Sequence, residues 1–147
     1  MGFELRRALP VDLAFARALT CRTMLRYYIE HDLPWQDEAF DVAWSGRENW
    51  LIMRDEVAIG YVSLSRDARA LYIRELHVVE TCHGQGAGSW AIDQVLAMAR
   101  QERRPALRLT VFTDNPAKAL YERKGLKVVG EDECFFRMQR DVPGTHR

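Results

Sequence analysis

An α/β layered domain built on a mixed sheet is the fold this sequence predicts, and three patterns predict it. Three strand-like segments follow one another through the middle of the chain. A strand–helix–strand unit comes after them, and helix-patterned segments lie before and between. At 147 residues the chain is long enough for one domain with a core of its own.

Charged residues make up 29% and hydrophobic ones 48%, the balance of an ordinary soluble globular protein. Twenty-one basic residues offset twenty-one acidic ones, which argues against nucleic acid as a partner. No apolar run approaches membrane-spanning length, so no membrane association is expected. The cysteines Cys21, Cys82 and Cys134 are too scattered for a disulfide framework or a zinc cage. Reduced thiols and a cytoplasmic location fit them, with no metal expected.

Phe3 and Leu5 alternate with polar neighbours and predict a short first strand. Pro10 and Asp12 open a helix, along which Ala14, Ala18, Cys21, Leu25 and Tyr28 form an apolar stripe. Pro34 breaks it, and a second short helix is expected from about Asp37 to about Trp44. "NWLIMR" and "VAIGYVSLS", separated by Asp55 and Glu56, read as a hairpin, with "RALYIRELHVV" as the next strand. A glycine-rich segment leads into a helix whose Gly88, Ile92, Val95, Leu96 and Ala99 share one face. "ALRLTVF" is a strand, "NPAKALYERKG" a helix closed by Gly125, and "LKVVG" and "ECFFRMQR" are the last strands. A single domain is thus expected over residues 1–140, and "DVPGTHR", residues 141–147, is expected to be loose.

The segment "CHGQGAGS" carries the chemistry. Alternating glycines let successive N–H groups turn toward one anion with no Cβ in the way, and a helix beginning there adds its own unpaired N–H groups and dipole. A phosphate or pyrophosphate suits that geometry. "GAGSWA" formally satisfies the dinucleotide pattern G-x-G-x-x-A, but "ETCHG" separates it from the preceding strand. No Lys-Ser or Lys-Thr follows, so a P-loop also fails.

With its flanks, the segment resembles the acetyl-CoA site of the GNAT superfamily of N-acetyltransferases. The signature [RQ]-x-x-G-x-[GA] meets His83, Gly84, Gln85, Gly86, Ala87 and Gly88 here, with His83 in the place of Arg or Gln. "LTVFTDNPAKALYERKGLKVVG" is similar to the next family motif, an Asn followed by A-x-x-L-Y-x-x-x-G-F; Ala117, Leu120, Tyr121 and Gly125 fit, and Leu126 replaces Phe. The family's Asn stands seven residues before its Tyr; that spacing lands on Asp114, while the strand end favours Asn115, which is preferred for its donor-and-acceptor amide.

The resemblance covers about Phe3 to about Arg140. It implies a mostly antiparallel central sheet flanked by about four helices, and acetyl-CoA as co-substrate. Leu76, His77 and Val78 would pair their main chain with the pantetheine arm, and the backbone from Gly84 to Ser89 would hold the pyrophosphate. Asn115, Ala117 and Tyr121 would complete the cofactor contacts, and His83 would add partial charge toward phosphate. Homodimers are common among such proteins.

Acetyl transfer from a thioester to an amine needs an unprotonated amine, a polarised carbonyl and a protonated leaving thiolate. By resemblance, the Val78 N–H polarises the carbonyl and Tyr121 protonates the thiolate. Glu75 and His77, two apart on a strand and facing the same way, are candidate bases, a water chain being the alternative. "YYIEHDLPW" places Tyr28, Glu30, Asp32 and Trp35 where an amine of a small molecule or peptide would enter. No cysteine suits an acetyl-enzyme, so direct transfer is expected. Two other functions compete: a non-catalytic acyl-CoA-binding sensor or scaffold, and a fragment of a nicotinamide-dependent oxidoreductase.

Overall fold

A computed structural model describes residues 2–144. Its elements are β1 (Phe3–Arg7), α1 (Leu13–Glu30), α2 (Asp37–Ser45), β2 (Glu48–Arg54), β3 (Val57–Arg66), β4 (Ala70–Val78), α3 (Ala87–Gln101), β5 (Ala106–Phe112), α4 (Ala117–Arg123), β6 (Lys127–Asp132) and β7 (Phe135–Asp141). The seven strands form one sheet in the order β1-β2-β3-β4-β5-β7-β6. β4 and β5 run parallel, while β1–β2, β2–β3, β5–β7 and β6–β7 are antiparallel. This is the mixed, mostly antiparallel sheet with four helices that the sequence predicts.

The chain divides into two compact units: residues up to Leu64 with Glu75–Gly88, and Ser65–Arg74 with the chain from Ser89 onward. In the first, Ala16, Leu19, Phe40, Leu51, Met53 and Tyr61 make a buried cluster. The β2–β3 hairpin turns at Asp55 and Glu56, both at positive φ (51° and 64°), as a tight two-residue turn between twisted strands requires. The register then slips between Ile52 and Met53, so that Gly60 faces Ile52 and Ala58 faces Met53. At Gly60 any Cβ would run into the main chain of His77 and Val78. Glycine there lets β3 approach β4 closely.

α1 corrects the sequence reading. Its buried residues are Ala16, Leu19, Thr20 and Tyr27, whereas Ala14, Ala18 and Leu25 are exposed. The apolar side chains are spread almost evenly round this helix, so polar contacts settle which side turns inward. Arg17 Nε and Nη2 donate to the Asp41 carboxylate of α2 at 2.8 and 2.9 Å. Thr20 Oγ1 donates to Ala16 O at 2.8 Å, which leaves its oxygen to accept from the Tyr61 hydroxyl. That hydroxyl is buried, and loss of solvent pushes the Tyr61 pKa far up.

In the second unit α3 buries Ile92, Val95, Leu96 and Ala99, the face the spacing predicts. β4 pairs with β5 from Ala70↔Ala106 to Ile73↔Leu109, where the ladder ends. Asp141 closes β7, and Val142 is fully buried with its N–H on Pro105 O at 2.9 Å. The segment expected to be loose is therefore held as far as Val142; Thr145, His146 and Arg147 lie outside the described residues.

Candidate functional site

A 3₁₀ turn, Glu80–Cys82, leads from β4 into the glycine loop, and α3 begins at Ala87. Gly84 and Gly86 have φ of 77° and 87°, a conformation that L side chains rarely adopt, with open space where a Cβ would stand. No group among the described residues accepts a hydrogen bond from the N–H of Gly84 or Gly86. With the first N–H groups of α3, unpaired within any helix, this arrangement suits an anion. Ala87 is buried and Gly88 and Ser89 are half-buried, at the head of α3.

The sequence reading missed Arg54. From the end of β2 its Nη1 donates to Gln85 Oε1, and its Nη2 lies 3.4 Å from Cys82 Sγ. Its Cζ stands 5.6 Å from the Phe3 ring centroid. Only its place beside the hairpin turn, twenty-eight residues from Cys82, was visible in the sequence. His83, expected to face phosphate, instead turns its Nε2 onto Val78 O at 2.7 Å. A carbonyl only accepts, so that nitrogen carries a proton.

Glu75 and His77 meet as their spacing predicts, with His77 Nε2 donating to Glu75 Oε1 at 2.7 Å. His77 is buried, and Glu75 Oε2 lies 3.9 Å from Arg47 Nη1. An unbroken series of ring contacts runs from His77 to Tyr61 (5.7 Å), Trp44 (5.6 Å), Phe40 (6.1 Å), Trp35 (6.0 Å) and Tyr28 (5.4 Å, edge-to-face). Burial and then the charge of Glu75 raise the Tyr28 pKa, so Tyr28 stands within the field of that carboxylate. Two predicted acceptor residues, Tyr28 and Trp35, thus belong with Glu75 and His77. Glu30 and Asp32 are exposed and do not join the row. Leu76 and Val78 are half-buried beside His77.

In the second unit, Asn115 Oδ1 accepts from Ala117 N–H at 2.9 Å and so opens α4. Its acceptor is engaged locally, which leaves Nδ2 as the donor this amide offers; Asp114 is exposed. Tyr121 is 9% exposed. The helix end behind it is a Schellman motif: Leu126 N–H bonds Tyr121 O at 3.0 Å, Gly125 N–H bonds Glu122 O at 3.0 Å, and Gly125 has φ 87°. Leu126, buried to 1%, supplies the apolar contact usual in that motif, so Leu serves where the family pattern has Phe.

A search of curated protein sequences finds no match. Solved structures are similar throughout. The PaiA N-acetyltransferase of Thermoplasma acidophilum, in complex with coenzyme A, aligns over 96% of this chain and 99% of its own, at 16% identity and TM-score 0.76. The ribosomal-protein-S18-alanine N-acetyltransferase of Escherichia coli aligns over 96% and 94%, at 16% identity and TM-score 0.77. A GNAT family acetyltransferase of Elizabethkingia anophelis with acetyl-CoA bound aligns over 95% and 98%, at 16% identity and TM-score 0.70. At such identities these likenesses establish the fold. The sequence model of the Acetyltransferase (GNAT) family matches residues 17–126, and the chain belongs to that family.

Proposed function

We propose that this acetyltransferase moves the acetyl group of acetyl-CoA directly to an amine of a small molecule or a peptide. The glycine loop carries the proposal: positive φ at Gly84 and Gly86, unclaimed N–H groups and a helix N-terminus behind them. Such a cradle suits a pyrophosphate, the part of CoA that carries charge without taking part in transfer. Backbone from Gly84 to Ser89 would hold it, the main chain of Leu76, His77 and Val78 would align the pantetheine, and the Asn115 amide would donate to it.

The Val78 N–H would polarise the thioester carbonyl, a fixed dipole that needs no reorganisation during reaction. Glu75 would take the amine proton, steadied by the His77 Nε2–H. Tyr121 would protonate the departing thiolate, since a phenol with a pKa of about 10 holds its proton at neutral pH and can share it with the sulfur as negative charge develops there. Tyr28 and Trp35 present aromatic faces beside a carboxylate, a surface that favours a cationic amine before it loses its proton. A peptide acceptor is in keeping with the activity named for the E. coli structure. Cys82, buried beside Arg54, gives no support to an acetyl-cysteine intermediate.

Incubation with acetyl-CoA and pooled amines tests this, with free CoA thiol and acetylated amine as readouts. Amine-dependent release of both is expected. CoA binding without turnover across the panel would instead favour a sensor or scaffold.

A further inference from the structure

The glycine loop holds a positive charge that its own motif does not encode. In the family pattern the loop opens with Arg or Gln, and here that place is His83, whose Nε2–H is engaged by Val78 O. Arg54, from another strand, reaches the loop instead. It contacts Cys82 on one side of Gly84 and Gln85 on the other, so it grips the loop at its first glycine. No carboxylate among the described residues pairs with it. A guanidinium has five N–H donors, and two are engaged by Gln85 and Cys82. The others, with the full charge, remain for an anion.

Arginine is suited to this task because its planar fork binds two oxygens of one phosphate at once and its charge is permanent. Its guanidinium stands over the Phe3 ring and is thereby restrained before any ligand arrives. From these contacts we infer that Arg54 is a phosphate-binding residue of the acetyl-CoA site. It supplies from the end of β2 the cationic side chain that the loop lacks, and it sets the loop through Gln85. This rests on the reading of the loop as the acetyl-CoA site.

Calorimetric binding of acetyl-CoA to the parent, R54Q and R54K tests it, with unliganded melting curves as a check on folding. Loss of a charged hydrogen bond to phosphate weakens binding about 10- to 100-fold in R54Q, with part of the loss recovered in R54K. R54M, which keeps an apolar side chain of similar length beside Phe3, replaces R54Q if the latter folds poorly and is read in the same way. Equal affinity of R54Q and parent overturns the assignment. So does an R54K as weak as R54Q, because the loop clamp rather than the charge is then at work. With 3′-dephospho-acetyl-CoA, a persisting R54Q defect assigns Arg54 to the pyrophosphate, and a vanished one assigns it to the 3′-phosphate. A parent that binds no acetyl-CoA removes the cofactor reading and this inference together; a parent that binds, beside an unaffected R54Q, removes this inference alone.

Discussion

Two turns of this molecule offer main-chain N–H groups to an anion, and they differ in where the anion comes from. Between β3 and β4, Asp67 supplies it from within. Its Oδ1 accepts from the N–H of Arg69 and Ala70 at 2.9 and 2.8 Å, and its Oδ2 from the Tyr72 hydroxyl at 2.7 Å. The Tyr72 bond first, then the two backbone bonds, hold this carboxyl down to about 2. Between β4 and α3, Gly84 and Gly86 offer N–H groups that no described residue accepts. A turn that is complete by itself needs no glycine; one that awaits a ligand needs bare backbone and open space. The second turn is the one the proposed reaction uses.

If the open turn only binds, the largest loss must come from a residue elsewhere. Tyr121→Phe keeps the ring and removes the proton, so turnover should fall ~10²–10⁴-fold while acetyl-CoA affinity barely changes. Turnover within a few-fold of the parent would leave Tyr121 as packing. Glu75→Gln should lower turnover by about 10²-fold, most at mildly acidic pH, where the acceptor is almost wholly protonated. An unaltered rate and pH profile would hand the role to His77 or to a water chain.

A third glycine sharpens the contrast, because space rather than a ligand demands it. Gly60→Val would press a side chain on the main chain of His77 and Val78 and should cost about 1–3 kcal/mol in denaturant unfolding. A variant as stable as the parent would show that β3 and β4 can part freely. The smallest effect belongs to the filled turn. The Asp67 pKa is lower in the folded chain than its ordinary 3.8, so its contribution is full above that value and fades as pH falls toward about 2. Asp67→Asn should flatten stability against pH over that interval and leave acetyl-CoA binding alone. A persisting acid-side slope would trace it to other carboxylates.

The difference between the two turns also marks what a sequence can disclose. "GQGAG" before a helix pattern points toward an anion, since alternating glycines leave successive backbone N–H groups bare. α3 was equally legible because its apolar residues all fall on one face. α1 was not, because the Arg17–Asp41 and Thr20–Tyr61 contacts, which orient it, join residues 24 and 41 positions apart. Arg54 escaped for the same reason, lying 31 positions from Gln85. Tyr28 and Trp35 were found as aromatics near a turn, but the ring series tying them to His77 passes through two further elements of the fold, α2 and β3. Local rules expose local chemistry, and long-range polar pairs need the folded chain.

The central claim, that the Gly84–Gly88 backbone holds the cofactor, is tested most directly at Gly86. A ligand that binds only the folded state raises its melting temperature, so acetyl-CoA should stabilise the parent. At φ 87° a valine cannot keep the loop's conformation, yet a Cβ there meets nothing within 4 Å, so the rest of the fold has no reason to move. Gly86→Val should therefore remain folded and show no acetyl-CoA-dependent shift. An unchanged acetyl-CoA affinity in that variant would contradict the claim.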